Sequence, residues 1–177
     1  LVRIPQSAAL LFIVMYERYA MKPIKNIYEQ ICDFENLYLA HLSARKGKRF
    51  RDEVLEFSAN LEENLISIQN ELLHGSYEVG RYREFFVFEP KKRLIMALPY
   101  KDRVVQWALY RVTNPILSRG YITDTYACVN DRGAHQAVKR LQYWLRLTED
   151  TPEKWYYLKL DTSKFLYRVD HDVVLSI

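Results

Sequence analysis

A chain of 177 residues that is 49% apolar and 27% charged has a globular composition and enough length to bury a core, which excludes an intrinsically disordered protein. The net charge of +4 leans mildly toward anionic partners. Cys32 and Cys128 lie far apart with no Cys-x-x-Cys spacing, and His41, His74, His135 and His171 are scattered, so no zinc-ligand pattern emerges. Such cysteine usage suits a reducing, cytoplasmic location.

At the N-terminus, the apolar run SAALLFIVMY (7–16) follows Arg3 but lacks a small-x-small cleavage site, and it is too short to span a bilayer. Met21 opens the sequence MKPIKNIYEQ and is expected at or near the natural start, with 1–20 upstream of it; a docked amphipathic helix is the other reading of 1–20. Residues 22–43 read as helical. ARKGKRFR (44–51) then breaks the pattern with five basic side chains around Gly47, either as a solvated loop or as one that contacts phosphates.

Residues 52–74 carry the strongest periodicity. Val54, Phe57, Leu61, Leu65, Ile68 and Leu72 recur at spacings of three and four, which predicts one helix with a core-facing stripe and a stop at His74-Gly75. Two β-rich runs, 84–88 and 93–98, flank Glu89-Pro90-Lys91-Lys92 and predict a hairpin. Helical spacing resumes over 101–117 and ends near Pro115. Asp102 and Arg103 at the start of that helix are expected to anchor it through capping and an ion pair. A loop (118–133) leads to a helix over 134–147. A polar turn then precedes WYYLKLD (155–161), whose alternation predicts a strand ending at Asp161. Phe165, Val169 and Val173 follow at spacings of four, so a helix is expected at once after it.

Two readings of Asp161 stand side by side. Asp161, Thr162 or Ser163 can cap that helix. Alternatively, Asp161 presents a hard oxygen ligand to a divalent metal near a substrate phosphate, a task that needs a second acid from elsewhere. Asp170 and His171 fit local packing and surface pairing. Cys128 and His135 have no orienting partner for nucleophilic chemistry.

LKLDTSKFLYRVDH (158–171) resembles the first palm motif of reverse transcriptases of bacterial retroelements, in which a strand ends in a metal-binding Asp and the motif continues through an aromatic pair to Ile/Val-Asp-His. Asp161, Phe165, Val169, Asp170 and His171 carry this match. EPKKRLIMALPYKDRVVQWAL (89–109) is similar to the family's first fingers block, a hairpin with Lys-x-Arg followed by Asp-Arg-Val-Val-Gln. DTYACVNDRGAHQAVKRL (124–141) is similar to the next block, especially as it appears in diversity-generating retroelements, and group II intron enzymes are alike in kind. The blocks span roughly 89–175 in the family's order.

The resemblance implies an α+β chain comprising a fingers-like region over 21–150 and the first palm strand and helix over 151–177. It implies a nucleotidyltransferase, an RNA-directed DNA polymerase acting on deoxynucleoside triphosphates with an RNA template and a DNA or RNA primer, and no membrane association. Asp161 would be the catalytic acid. It would hold Mg2+ with the Thr162 carbonyl in a two-ion site, while Lys91, Lys92 and Arg93 at the hairpin tip would offset triphosphate charge, Arg93 through its bidentate fork. Leu166 stands where the family usually has Phe or Tyr to exclude a 2′-hydroxyl. The family's paired acids, Phe/Tyr-x-Asp-Asp, have no counterpart here, since the sequence contains no Asp-Asp pair. That departure implies an incomplete active site in these residues, and it keeps open a non-catalytic nucleic-acid-binding module or a degenerate remnant.

Overall fold

The computed structural model describes residues 24–149, 151–162 and 168–176. Among them are seven α-helices and one two-stranded antiparallel sheet, an α+β composition. They fall into two units, one ending at Ile122 and the other beginning at Thr123.

In the first unit the helix expected over 22–43 is broken in two, α1 (Ile27–Cys32) and α2 (Phe34–Ala44). The break is at Asp33, whose backbone is extended and whose carboxylate accepts the Asn36 N–H at 3.1 Å. An N-cap carboxylate satisfies one of the donors a helix start leaves open, so the chain gains from restarting there. The expected helix over 52–74 is likewise two, α3 (Asp52–Ala59) and α4 (Leu61–Leu73), separated at Asn60 (φ −122°, ψ 50°). Asn64 Nδ2 donates to the Phe57 carbonyl at 2.9 Å, occupying an acceptor that the interruption frees.

The apolar stripe survives both interruptions. Val54, Phe57, Leu65, Ile68 and Leu72 are buried, and Leu61 packs against them. α4 stops as the sequence predicts. Gly75 takes the left-handed conformation (φ 67°), its N–H donates to Leu72 O, and Ser76 N–H reaches Glu71 O, which is the paired-bond geometry of a glycine C-terminus.

The basic loop predicted between the helical segments occupies 45–51, with Gly47 at φ 72°. Strands β1 (Arg83–Val87) and β2 (Arg93–Ala97) form the predicted hairpin, and α5 (Tyr100–Leu117) follows with Pro115 in its last turn. α5 is the spine of this unit: it buries Tyr100, Val104 and Ala108, and its largest interface is with α2. Polar ties lock the helices together. Asn36 Nδ2 donates to the carbonyls of Ile31 and Ala108, both at 3.2 Å, while its Oδ1 accepts from Arg111 Nε. Gln69 Nε2 donates to Cys32 O at 2.9 Å, and the Tyr28 hydroxyl donates to Leu72 O at 2.6 Å. Each caps a backbone carbonyl at a helix end or interface, where an unpaired one is costly.

The second unit holds a loop closed by a bridge between Val129 and Arg132, α6 (Ala134–Glu149) and the short α7 (His171–Ser176). No described residue of this unit is buried. The strand expected over 155–161 is not formed: the segment pairs with no strand among the described residues, and Trp155, Tyr156, Tyr157, Leu158 and Leu160 are exposed. β-propensity and alternation describe how a strand would sit in a sheet. Without a neighbouring strand its N–H and C=O groups stay with water. The helix expected directly after Asp161 falls mainly on 163–167, outside the described residues. Further on, Asp170 Oδ1 accepts from the N–H groups of Asp172 and Val173 and so caps α7. Among the described residues no helix is long and apolar enough to cross a membrane.

Candidate functional site

The hairpin brings three of the sequence-predicted residues together. Lys91, Lys92 and Arg93 sit consecutively at its tip, all exposed, and no carboxylate among the described residues pairs with them. The strand pairing runs Arg83↔Ala97, Glu84↔Met96, Phe85↔Ile95, Phe86↔Leu94 and Val87↔Arg93. Directly opposed residues share a face. One face therefore carries Arg83, Phe85, Val87, Arg93, Ile95 and Ala97, and the other Glu84, Phe86, Leu94 and Met96.

The two lysines and the arginine consequently differ in role. Lys92 folds back over aromatic rings, with its Nζ 4.5 Å from the Phe86 centroid and 5.9 Å from that of Phe88. That cation–π contact restrains its ammonium on the second face. Arg93 lies on the first face opposite Val87, and no carboxylate among the described residues pairs with its guanidinium, whose fork has the geometry for a bidentate anion. Phe86 and Phe88 remain 52% and 68% exposed, so both rings are open to solvent.

Below the strands, the hairpin's two legs meet at the N-terminal turn of α5. Asp102 is only 3% exposed. Its Oδ1 accepts from the Tyr77 hydroxyl and its Oδ2 from Gly80 N–H at 3.1 Å. Burial first, and then the hydrogen bond to this carboxylate and its charge, push the Tyr77 hydroxyl far above the usual phenol value. The expectation that Asp102 caps its own helix is corrected: its oxygens turn to the chain 22 and 25 residues upstream. Arg103 does form the expected ion pair, with Glu53 of α3. Lys101 completes the cluster, pairing with Glu71 at 2.5 Å and lying 5.4 Å from the Tyr77 ring. Lys101 holds the Glu71 carboxyl below its ordinary value, chiefly by hydrogen bonding.

Asp161 and Thr162 are exposed and stand in the second unit, and Leu166 lies outside the described residues. Among the described residues no three His, Cys, Asp or Glu side chains gather as a metal-ligand group. One carboxylate does not hold a divalent ion, so the described donor set does not by itself fit a two-Mg2+ centre. Cys128 is a free, exposed cysteine in the left-handed region at φ 56°.

Sequence reasoning missed Tyr77, Gly80 and His41. His41 is fully buried on α2 and stacks on Phe57 (centroids 5.6 Å apart), while the Tyr100 hydroxyl lies 3.1 Å from its Nδ1. Its Nε2 has no hydrogen-bond partner among the described residues. Burial, then the nearby Arg45 charge, hold its pKa below the usual histidine value. A local signal existed only for Gly80, since glycine often marks a close backbone approach. No protein-family model and no curated protein matches the chain.

Proposed function

We propose that these residues are the fingers and the start of the palm of a reverse transcriptase, an RNA-directed DNA polymerase that takes deoxynucleoside triphosphates, an RNA template and a DNA or RNA primer. The observation that carries the reading is the hairpin: a paired β-ribbon with Lys91, Lys92 and Arg93 at its tip, running through Pro99 directly into the helix that bears Asp102-Arg103-Val104-Val105-Gln106. Such a ribbon presents an exposed guanidinium that pairs with no carboxylate among the described residues, which suits gripping a triphosphate. In this reading Asp161 would contribute one carboxylate, and Thr162 its carbonyl, to a Mg2+ site that needs further acids. The in-line phosphoryl transfer depends on that site as a whole.

Kinetics of the complete gene product test the proposal. Arg93→Ala removes a charge-assisted contact of roughly 1.5–3 kcal/mol, so nucleotide utilisation is expected to fall about ten- to a hundredfold, with primer–template affinity little changed. Arg93→Lys should rescue in part, because a point charge does not reproduce the fork. Unchanged nucleotide kinetics in both variants would sink the assignment.

A second reading, a nucleic-acid-binding module without catalysis, has one observation of its own. Phe50 is 93% exposed in the loop that also carries Arg45, Lys46, Lys48, Arg49 and Arg51, an aromatic face amid phosphate-seeking charge. The same experiment separates the two. If Arg93→Ala weakens primer–template binding while leaving nucleotide kinetics alone, the binding module is the better account.

A further inference from the structure

Among the described elements, each hairpin strand packs extensively on the other strand alone. Arg83, at the base of β1, also lines a recess with Phe50, Asp52, Glu53 and Glu56, so the ribbon's direction is set near its root. Two legs form that root, 77–82 rising from α4 and 98–99 descending into α5. They touch at Gly80, where a β-carbon would come within 2.8 Å of Pro99 Cγ and 3.0 Å of Asp102 Oδ2.

We infer that Asp102 is a positioning residue: its buried carboxylate clasps the two legs of the hairpin together through Tyr77 and Gly80 and thereby aims Arg93. Its two oxygens each take a different donor from the ascending leg, while its backbone belongs to the helix that receives the descending leg. A carboxylate suits the task because both lone-pair directions accept and neither donates. Tyr77 is fixed from its other side by the Lys101 ammonium over its ring, and Lys101 by Glu71 at the end of α4. The clasp thus ties the hairpin root to α4 as well as to α5.

The inference about geometry stands on the clasp alone; its consequence for nucleotide use rests on the polymerase reading. Spin labels on Lys91→Cys at the tip and Glu63→Cys on α4, in a Cys128→Ser background, report the tip-to-body distance by pulsed electron resonance. The parent should give one narrow distribution. Asp102→Ala, which strands the Tyr77 hydroxyl and the Gly80 N–H, is expected to widen it at least twofold with helical content by circular dichroism retained. Tyr77→Phe removes one tie and should give intermediate width. Asp102→Asn should stay near the parent, since its amide oxygen can accept from Gly80 N–H while its nitrogen donates to the Tyr77 oxygen.

An unchanged width in Asp102→Ala overturns the clasp, as does an Asp102→Asn distribution as broad as that of Asp102→Ala. If Asp102→Ala does not fold, Tyr77→Phe decides, and a parental width there overturns the inference. In the complete gene product, Asp102→Ala should raise the nucleotide KM at least tenfold with a smaller change in kcat, and adding Arg93→Ala should cost little more. Asp102→Asn should restore most of the loss. Widened distances without that kinetic pattern leave the clasp standing and remove the polymerase reading.

Discussion

His41 gives the helical unit a pH dependence whose sign follows from its surroundings. The ring is fully buried between Phe57 and Tyr100, its Nε2 meets no acceptor among the described residues, and Arg45 adds a like charge to any imidazolium formed there. Desolvation dominates and lowers the folded-state pKa, while the unfolded chain keeps a value of about 6.5. As pH falls below that value the unfolded state takes up a proton that the folded state refuses, so stability decreases. The limiting slope for one group is about 1.4 kcal/mol per pH unit. Against a domain stability of roughly 5–15 kcal/mol, a drop of one unit is readily seen. Urea unfolding followed by circular dichroism between pH 7.5 and 5.0 measures it. His41→Gln should lie lower at pH 7.5, through lost packing, but run nearly flat across the window. Glu71 does not confuse the test, because its depressed pKa protects the fold until pH falls through the carboxylate range below. Parallel slopes in the two proteins, or stability rising toward pH 5, would refute the account.

Leu65 is fully buried in the core formed by α1 to α5, so Leu65→Ala should cost about 2–5 kcal/mol in the same urea assay, with the midpoint moving and the slope unchanged. A protein of these 177 residues is expected to extend no primer under any metal condition, because its sequence contains no Asp-Asp pair to join Asp161; templated incorporation by the purified chain would overturn that motif assignment.

What the sequence made legible was local periodicity and turn chemistry. The stripe from Val54 to Leu72 reads as core because burial selects spacings of three and four, and the hairpin reads from two β-rich runs around a proline turn, with its bounds shifted by about one residue. The interruptions at Asp33 and Asn60 were less legible: they leave the stripe intact, and short polar residues are tolerated inside helices as well as at their ends. The segment 155–161 shows the reverse failure. Its residues have strand character, yet a strand is a relation between two segments, and none of the described residues supplies the second. Similarly, α6 has an apolar stripe, including Val138, Leu141 and Leu145, that is exposed throughout.

The clasp at Asp102 was illegible for another reason. In sequence it opens a helix beside Arg103, where capping and ion pairing are the local expectations, and the ion pair with Glu53 is indeed formed. The carboxylate's partners lie 22 and 25 residues upstream, and no local pattern marks Tyr77 or Gly80 as theirs. A ribbon with both faces largely open to solvent gains little orientation from packing, so whatever its tip contacts is aimed by hydrogen bonds at the root. If Arg93 does grip an anion, the chemistry of the tip and the geometry of the root become one requirement, since the Asp102 carboxylate joins the legs from which the tip projects.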